Sequence, residues 1–177
     1  METLNNIRNK IFNEDVLEVL KRLPDNCVDM VYGDPDYNVG INYAGKNYTT
    51  KWNEYIDWYI QLTKECLRVL KPTGNLFMMN YPKQNAHLRV KYLDEAAYDV
   101  FDYIWVYNTN VGHSPKRFTT AHRSILHAVK LKTIVFTRKM SLFLIKIRQT
   151  NVLKGELPLV IWVKCLTVGF ISTLLKM

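Results

Sequence analysis

Residues 33–38 read Gly33-Asp34-Pro35-Asp36-Tyr37-Asn38, two carboxylates around a proline, followed by an aromatic and an amide. As a plain turn the run makes sense, because Pro35 fixes φ and short acidic side chains bond nearby backbone. As a site, it offers carboxylates and an aromatic face to a bound molecule. Position shifts the balance toward a site. A β-prone stretch, residues 28–32, leads directly into the run, so it follows a strand instead of joining a hairpin, and Tyr37 is placed to leave the sheet edge. A second group lies at residues 108–123, where Lys116, Arg117 and Arg123 accompany His113 and His122, with no acid between Asp102 and Glu156. Such a segment suits phosphate contacts, or else is a solvated basic loop. Cys27, Cys66 and Cys165 form no CxxC pair, and the histidines lack metal-ligand spacing with them, so neither a metal site nor a disulfide framework is expected.

The elements that must hold these residues follow from periodicity and breakers. Asn13 is read as a helix N-cap, with Glu14 and Asp15 in the first turn, Leu17, Leu20 and Leu23 at helical spacing, and Pro24-Asp25-Asn26 closing the segment. A long amphipathic helix is expected over 52–70, with Trp52, Tyr55, Ile56, Tyr59, Leu62, Cys66, Leu67 and Leu70 on one face, stopped by Lys71-Pro72-Thr73-Gly74. Residues 76–79 read as a buried strand, 82–97 as a helix, and 103–107 and 124–129 as further strands. Alternation of strand and helix predicts parallel pairing with right-handed crossovers, hence an α/β doubly wound sheet. In such sheets ligands bind beyond the carboxyl ends of strands, which is where residues 33–38 fall.

The net charge of +8 is unevenly spread. Residues 1–130 hold 16 Lys+Arg and 15 Asp+Glu, whereas residues 131–177 hold 8 basic residues and one acid, Glu156. The high pI therefore says little about nucleic-acid binding by the first part. All eleven tyrosines lie at or before Tyr107. This break divides the chain into residues 1–130, a folded unit, and residues 131–177, an atypical basic and apolar tail expected not to be native continuation and to add nothing to the fold. Within 157–175, Lys164 would cost about 2.5–3.5 kcal/mol in a bilayer, which argues against a membrane span. The polar first ten residues lack an apolar signal core, and the expected location is cytoplasmic.

Asp34-Pro35-Asp36-Tyr37-Asn38 resembles the Asp-Pro-Pro-Tyr motif of amino-methyltransferases acting on exocyclic nitrogens of DNA bases. Flanking segments extend the resemblance: Asp15-Val16-Leu17, then Leu23-Pro24-Asp25-Asn26-Cys27-Val28-Asp29-Met30 before the motif. After it come Trp52, Tyr55, Trp58 and Glu65-Cys66-Leu67-Arg68-Val69-Leu70-Lys71-Pro72-Thr73-Gly74. Motif order is similar to the beta class, and the resemblance covers about residues 8–130. It implies a partial doubly wound, Rossmann-like methyltransferase sheet and a site-specific, S-adenosylmethionine-dependent DNA adenine-N6 methyltransferase of a restriction-modification type system. Adenine is preferred to cytosine because the motif begins with Asp rather than Ser. Asp34, Pro35, Asp36 and Tyr37 would be catalytic; Asp15, Val16 and Asp34 would lie at the cofactor; Asn38, Lys116, Arg117 and Arg123 would contact double-stranded DNA with a flipped base. Asp36 departs from the commoner second proline.

The chemistry implied is coherent. An exocyclic amino nitrogen is a poor nucleophile because its lone pair is delocalised into the ring. Acceptors on Asp34 and on the Pro35 carbonyl would take its two hydrogens and localise that pair, and Tyr37 would stack on the extruded base. Such an enzyme also needs a glycine-rich strand-turn-helix for the methionine end of the cofactor, and no Phe-x-Gly-x-Gly occurs in the chain. The expectation is therefore a truncated enzyme, impaired alone. The competing readings are a non-catalytic remnant that binds DNA or a partner chain, and one half of a split enzyme completed by a C-terminal chain or a second copy.

Overall fold

The structure, a computed structural model, describes residues 11–40, 42–43, 46–47, 49–107, 116, 120–132, 159–164 and 171–176. A short strand β1 (Ile11–Asn13) precedes helix α1 (Val16–Arg22), strand β2 (Val28–Asp34), the small pair β3 (Asn42–Tyr43) and β4 (Lys46–Asn47), and helix α2 (Trp52–Val69). Strand β5 (Leu70–Asn80) leads to helix α3 (Pro82–Leu88), which continues through a π-helical turn at Arg89–Leu93 into α4 (Asp94–Ala96). Strands β6 (Asp99–Val106), β7 (His122–Val129), β8 (Leu159–Lys164) and β9 (Ile171–Lys176) complete the order.

The fold is α/β, with a seven-stranded sheet in the order β1-β9-β8-β2-β5-β7-β6. Strands β8, β2 and β5 are mutually parallel. The rest differs from the parallel pairing expected: β7 lies between β5 and β6 and is antiparallel to both. The connections between the strands account for it. Chain leaving β6 at Val106 returns to pair Val106 with His122, so β6 and β7 zip as neighbours while α3 carries β6 one place too far to touch β5. At the carboxyl end of the sheet this brings together the ends of β2, β5 and β6 and the beginning of β7.

Several expected boundaries shift. Asn13 lies in β1, and the N-cap of α1 is Asp15, whose carboxylate accepts from the amides of Leu17 and Glu18 at 2.8 and 3.2 Å. Asp15 directly precedes the apolar run, so its oxygen reaches the first unpaired amides where Asn13 is too far back. The Lys71–Gly74 stretch does end the helix, but inside β5. Val28 pairs with Leu70 and Met30 with Asn75, so residues 71–74 loop out, with Lys71 Nζ on Asp29 at 2.7 Å. The apolar face of α2 packs as expected, burying Tyr55, Ile56, Tyr59, Leu62, Cys66 and Leu67, while Trp52 is partly buried and Leu70 opens β5.

Strands β8 and β9 arise beyond residue 130, where composition predicted no contribution. Residues 159–163 read Leu-Val-Ile-Trp-Val, an unbroken apolar run with no polar alternation. A strand paired on both sides, as β8 is with β2 and β9, can read in just that way, and periodicity cannot distinguish it from other apolar segments. Deleting residues 159–177 removes β8 from the edge of β2 and leaves that row of backbone groups unpaired. Sedimentation of the shortened chain is expected to show self-association at concentrations where the whole chain shows less; equal behaviour would mean that β8 does not protect β2. Among the described residues no helix is long and apolar enough to cross a membrane.

Candidate active site

Asp34 ends β2, and the loop after it turns across the carboxyl edge of the sheet. Close packing starts the turn: a Cβ on Gly33 would meet Met78 Sδ at 2.6 Å, so the strand lies tight on β5 just before the acid. Pro35 is buried. Asp36 accepts from the Asn38 amide at 2.8 Å, an Asx turn, and Asn38 takes φ 55°, a left-handed conformation that Asn tolerates. Asp36 thus supplies a local bond where the commoner motif has a ring. Asn38 is then tied to Thr50 in both directions, its Nδ2 donating to the carbonyl at 3.0 Å and its Oδ1 accepting from the amide at 2.8 Å.

Two buried side chains from the helices hold the next carbonyls. Tyr55 Oη donates to the Asp36 carbonyl at 2.5 Å and accepts from Asn80 Nδ2 at 2.9 Å. Gln84 Nε2 donates to the Tyr37 carbonyl at 2.7 Å. Behind them, Tyr59 donates to Asn85, whose amide donates to Met78 and Ser124. The loop is therefore fixed by a hydrogen-bonded interior, which is what acceptors aimed at a substrate require.

Tyr37 folds back so that its hydroxyl donates to Asp34 Oδ1 at 2.5 Å. Burial pushes its phenol well above the ordinary tyrosine range, the Asp34 charge and hydrogen bond add to the rise, and Arg123 opposes it. The hydroxyl is thus a neutral donor at physiological pH. Its ring meets Tyr81 edge-on with centroids 5.3 Å apart. The Arg123 guanidinium lies 3.9 Å from the Tyr81 ring centroid and 5.3 Å from those of both Tyr37 and Tyr107, and donates to the Tyr107 hydroxyl.

The structure thus brings Asp34, Pro35, Asp36, Tyr37, Asn38 and Arg123 to one edge. Lys116 is exposed in a turn, and Arg117 lies outside the described residues. Asp15 is exposed and serves as the cap of α1, while Val16 is buried in the core at 2% exposure. Sequence reasoning missed Tyr55, Asn80, Tyr81, Gln84 and Tyr107. Asn80, Tyr81 and Tyr107 carried a signal, since they end or directly follow strands that run to the carboxyl edge. Tyr55 carried one only as part of the segment resembling the family, with no role attached, and Gln84 carried none, being one polar helix residue among many. Among the described residues no cluster of His, Cys, Asp or Glu could hold a metal.

For S-adenosylmethionine, the described residues present acceptors at Asp34 and the Pro35 carbonyl but no glycine-rich cradle for the methionine end. On the side of β2 away from β5 the parallel neighbour is β8, with Lys164 in register with Asp34. The sequence leaving it, Cys165-Leu166-Thr167-Val168-Gly169, has no Gly-x-Gly to admit a ligand close to the backbone.

Comparisons with known proteins point to one family. The N6_N4_Mtase family model, described as DNA methylase, matches residues 28–162. The chain is 42% identical over 80 residues to the Type II methyltransferase M.BamHI of Bacillus amyloliquefaciens, covering 45% of this chain and 19% of that protein. It is 30% identical over 124 residues to the DNA adenine methyltransferase YhdJ of Escherichia coli K12, covering 68% of this chain and 40% of YhdJ. Among solved structures it shares the fold of PvuII DNA methyltransferase (cytosine-N4-specific), with a TM-score of 0.53, 19% identity and coverage of 68% and 49%. It also shares that of TTHA0409 from Thermus thermophilus, solved with S-adenosyl-L-methionine, with a TM-score of 0.51, 20% identity and coverage of 71% and 55%. The chain spans less than half the length of these two sequence relatives. With a match running from the first residue of β2 into β8, and the acidic proline loop held at the carboxyl edge between them, the chain belongs to the N6_N4_Mtase family of DNA methylases.

Proposed function

We propose that residues 1–130 supply the base-binding, amine-polarising half of a site-specific DNA adenine-N6 methyltransferase of restriction-modification type. The observation that carries this reading is the fixed Asp34–Tyr37 loop, with a carboxylate and a tyrosine ring at the carboxyl end of β2. A carboxylate has about four lone-pair positions, so accepting the Tyr37 hydroxyl does not by itself exhaust Asp34. With an adenine turned out of the duplex, Tyr37 stacks on its face, and Asp34 and the Pro35 carbonyl accept the two amino hydrogens. The nitrogen lone pair is thereby localised, and Asp34 Oδ stabilises the positive charge that develops there. S-adenosylmethionine is the methyl donor, and TTHA0409 binds it. Phosphate contacts are assigned to Lys116 and Arg117 from the basic character of their segment, and a DNA contact to Asn38. Preference for adenine rests on the leading Asp and on the likeness to YhdJ.

Incubation of the chain with DNA of mixed sequence and a millimolar methyl donor, followed by digestion and mass spectrometry, tests the substrate. Any methylated base that forms is expected to be N6-methyladenine; N4-methylcytosine would move the activity to the other base. If neither forms, and N6-methyladenine appears only after a separate cofactor-binding half is added, the chain is one part of a split enzyme.

Cofactor affinity gives a second expectation. Without a glycine turn, calorimetric titration of the chain with S-adenosylmethionine should show no saturation below about 1 mM, a binding free energy weaker than about 4 kcal/mol. A low-micromolar Kd would mean that other residues, Asp15, Val16 and Asp34 among them, suffice.

A further inference from the structure

Arg123 belongs to a basic segment suited to phosphates, yet its surroundings are aromatic. Its guanidinium is stacked 3.9 Å from the Tyr81 centroid, sits 5.3 Å from Tyr37 and Tyr107, and donates to the Tyr107 hydroxyl and the His122 carbonyl. These contacts come from four separate stretches of chain. Tyr37 follows β2, Tyr81 follows β5, Tyr107 follows β6, and Arg123 is the second residue of β7. The antiparallel insertion of β7 between β5 and β6 brings Arg123 to this group of strand ends.

A guanidinium is planar, always charged and weakly hydrated, and stacks on aromatic faces in a way an ammonium does not. Against Tyr81, and beside a Tyr37 that is edge-on to it, the group restricts both rings. A base that stacks on Tyr37 needs that ring already oriented, because the ordering is otherwise lost from the binding free energy. We infer that Arg123 is a positioning residue of the base pocket: it holds Tyr37 and Tyr81 in place through its stacked guanidinium, and does not grip a phosphate. The inference rests on the reading of this edge as a site for an extruded base.

The test uses the whole chain and two duplexes that need no knowledge of a recognition sequence. One carries a mispaired adenine, which is cheap to extrude; the other has an abasic site at the same place. The ratio of the two affinities reads occupancy of the pocket. Salt dependence reads phosphate contacts, since each one lost lowers the slope of log affinity against log salt by about 0.9. Wild type is expected to prefer the adenine duplex. Arg123→Lys keeps the charge and loses the planar stack, and Arg123→Gln loses both. Each is expected to reduce the preference about fivefold or more, in line with the worth of one base-aromatic stack, with the salt slope of Arg123→Gln unchanged. Circular dichroism melts, with Arg123→Lys as the gentler change, separate this from misfolding, which would weaken both duplexes alike. An unchanged preference, whether or not the Arg123→Gln slope falls by about 0.9, overturns the inference. A wild-type chain that binds the two duplexes equally would remove the base-site reading itself, and this inference with it.

Discussion

Asp34→Ala is expected to lower methyl transfer by a factor of at least about 10²–10³, the cost of removing one preorganised group from a transition state. The measurement belongs in the chain completed by a cofactor-binding half, joined or mixed, so that the donor is held. Asp34 receives a neutral hydroxyl from Tyr37 in the free protein and, on the proposed reading, amino hydrogens that grow more positive as the nitrogen is alkylated. Its contribution therefore rises toward the transition state, and kcat should fall with kcat/KM. Tyr37 separates two roles. Tyr37→Phe removes the hydroxyl on Asp34 but keeps the ring, and should retain activity within a few-fold. Tyr37→Ala removes the stacking face, worth about 1–3 kcal/mol, and should lower the rate well below that of Tyr37→Phe. Near-normal turnover by Asp34→Ala would show that the loop does not carry the chemistry.

Acid should destabilise the fold through His127. This ring is 2% exposed, stacked 4.3 Å from Phe77 by centroids, and its Nε2 lies 2.8 Å from Asn75 Oδ1, which fits a neutral ring carrying its proton on Nε2. Burial lowers its pKa to about 4, against an opposing pull from Asp99. The unfolded chain has a histidine near 6.5, so between these values it binds a proton that the folded chain does not. Stability is then complete above about pH 6.5, is lost as pH falls toward 4, and changes no further below that for this group. The full loss is roughly 3 kcal/mol. Urea denaturation at about pH 7.5 and about pH 4.5, on either side of most of that window, measures it, with His127→Gln as reference. The variant starts less stable but should lose markedly less on acidification. An equal loss in both would assign the acid sensitivity to carboxylates instead.

The loop proposed to be catalytic was legible in sequence because its turn chemistry is local. Residues 33–38 follow a β-prone run, and the address beyond a strand's carboxyl end holds whatever the remaining topology. Helix α2 was legible too, because an 18-residue amphipathic face declares its period over many turns. Capping was less so, since Asn13 and Asp15 are both good caps and only the position of the first unpaired amides chooses between them. The second proline's absence looked like a departure in sequence; in the fold, Asp36 closes an Asx turn on Asn38.

Sequence by itself determined the family motif, the α/β class, the order of the central elements and the lack of a Gly-x-Gly turn. Each is written in runs of neighbouring residues, where spacing and residue type suffice. Tertiary structure decided the rest. Which strand lies beside which depends on pairing between segments far apart in the chain, so the antiparallel place of β7 and the entry of Leu159–Lys164 beside β2 left no local mark. The same holds for Tyr55, Gln84 and the tyrosines around Arg123. Their partners are set by where strand ends converge in space, and a hydroxyl or guanidinium in sequence does not say what it will meet.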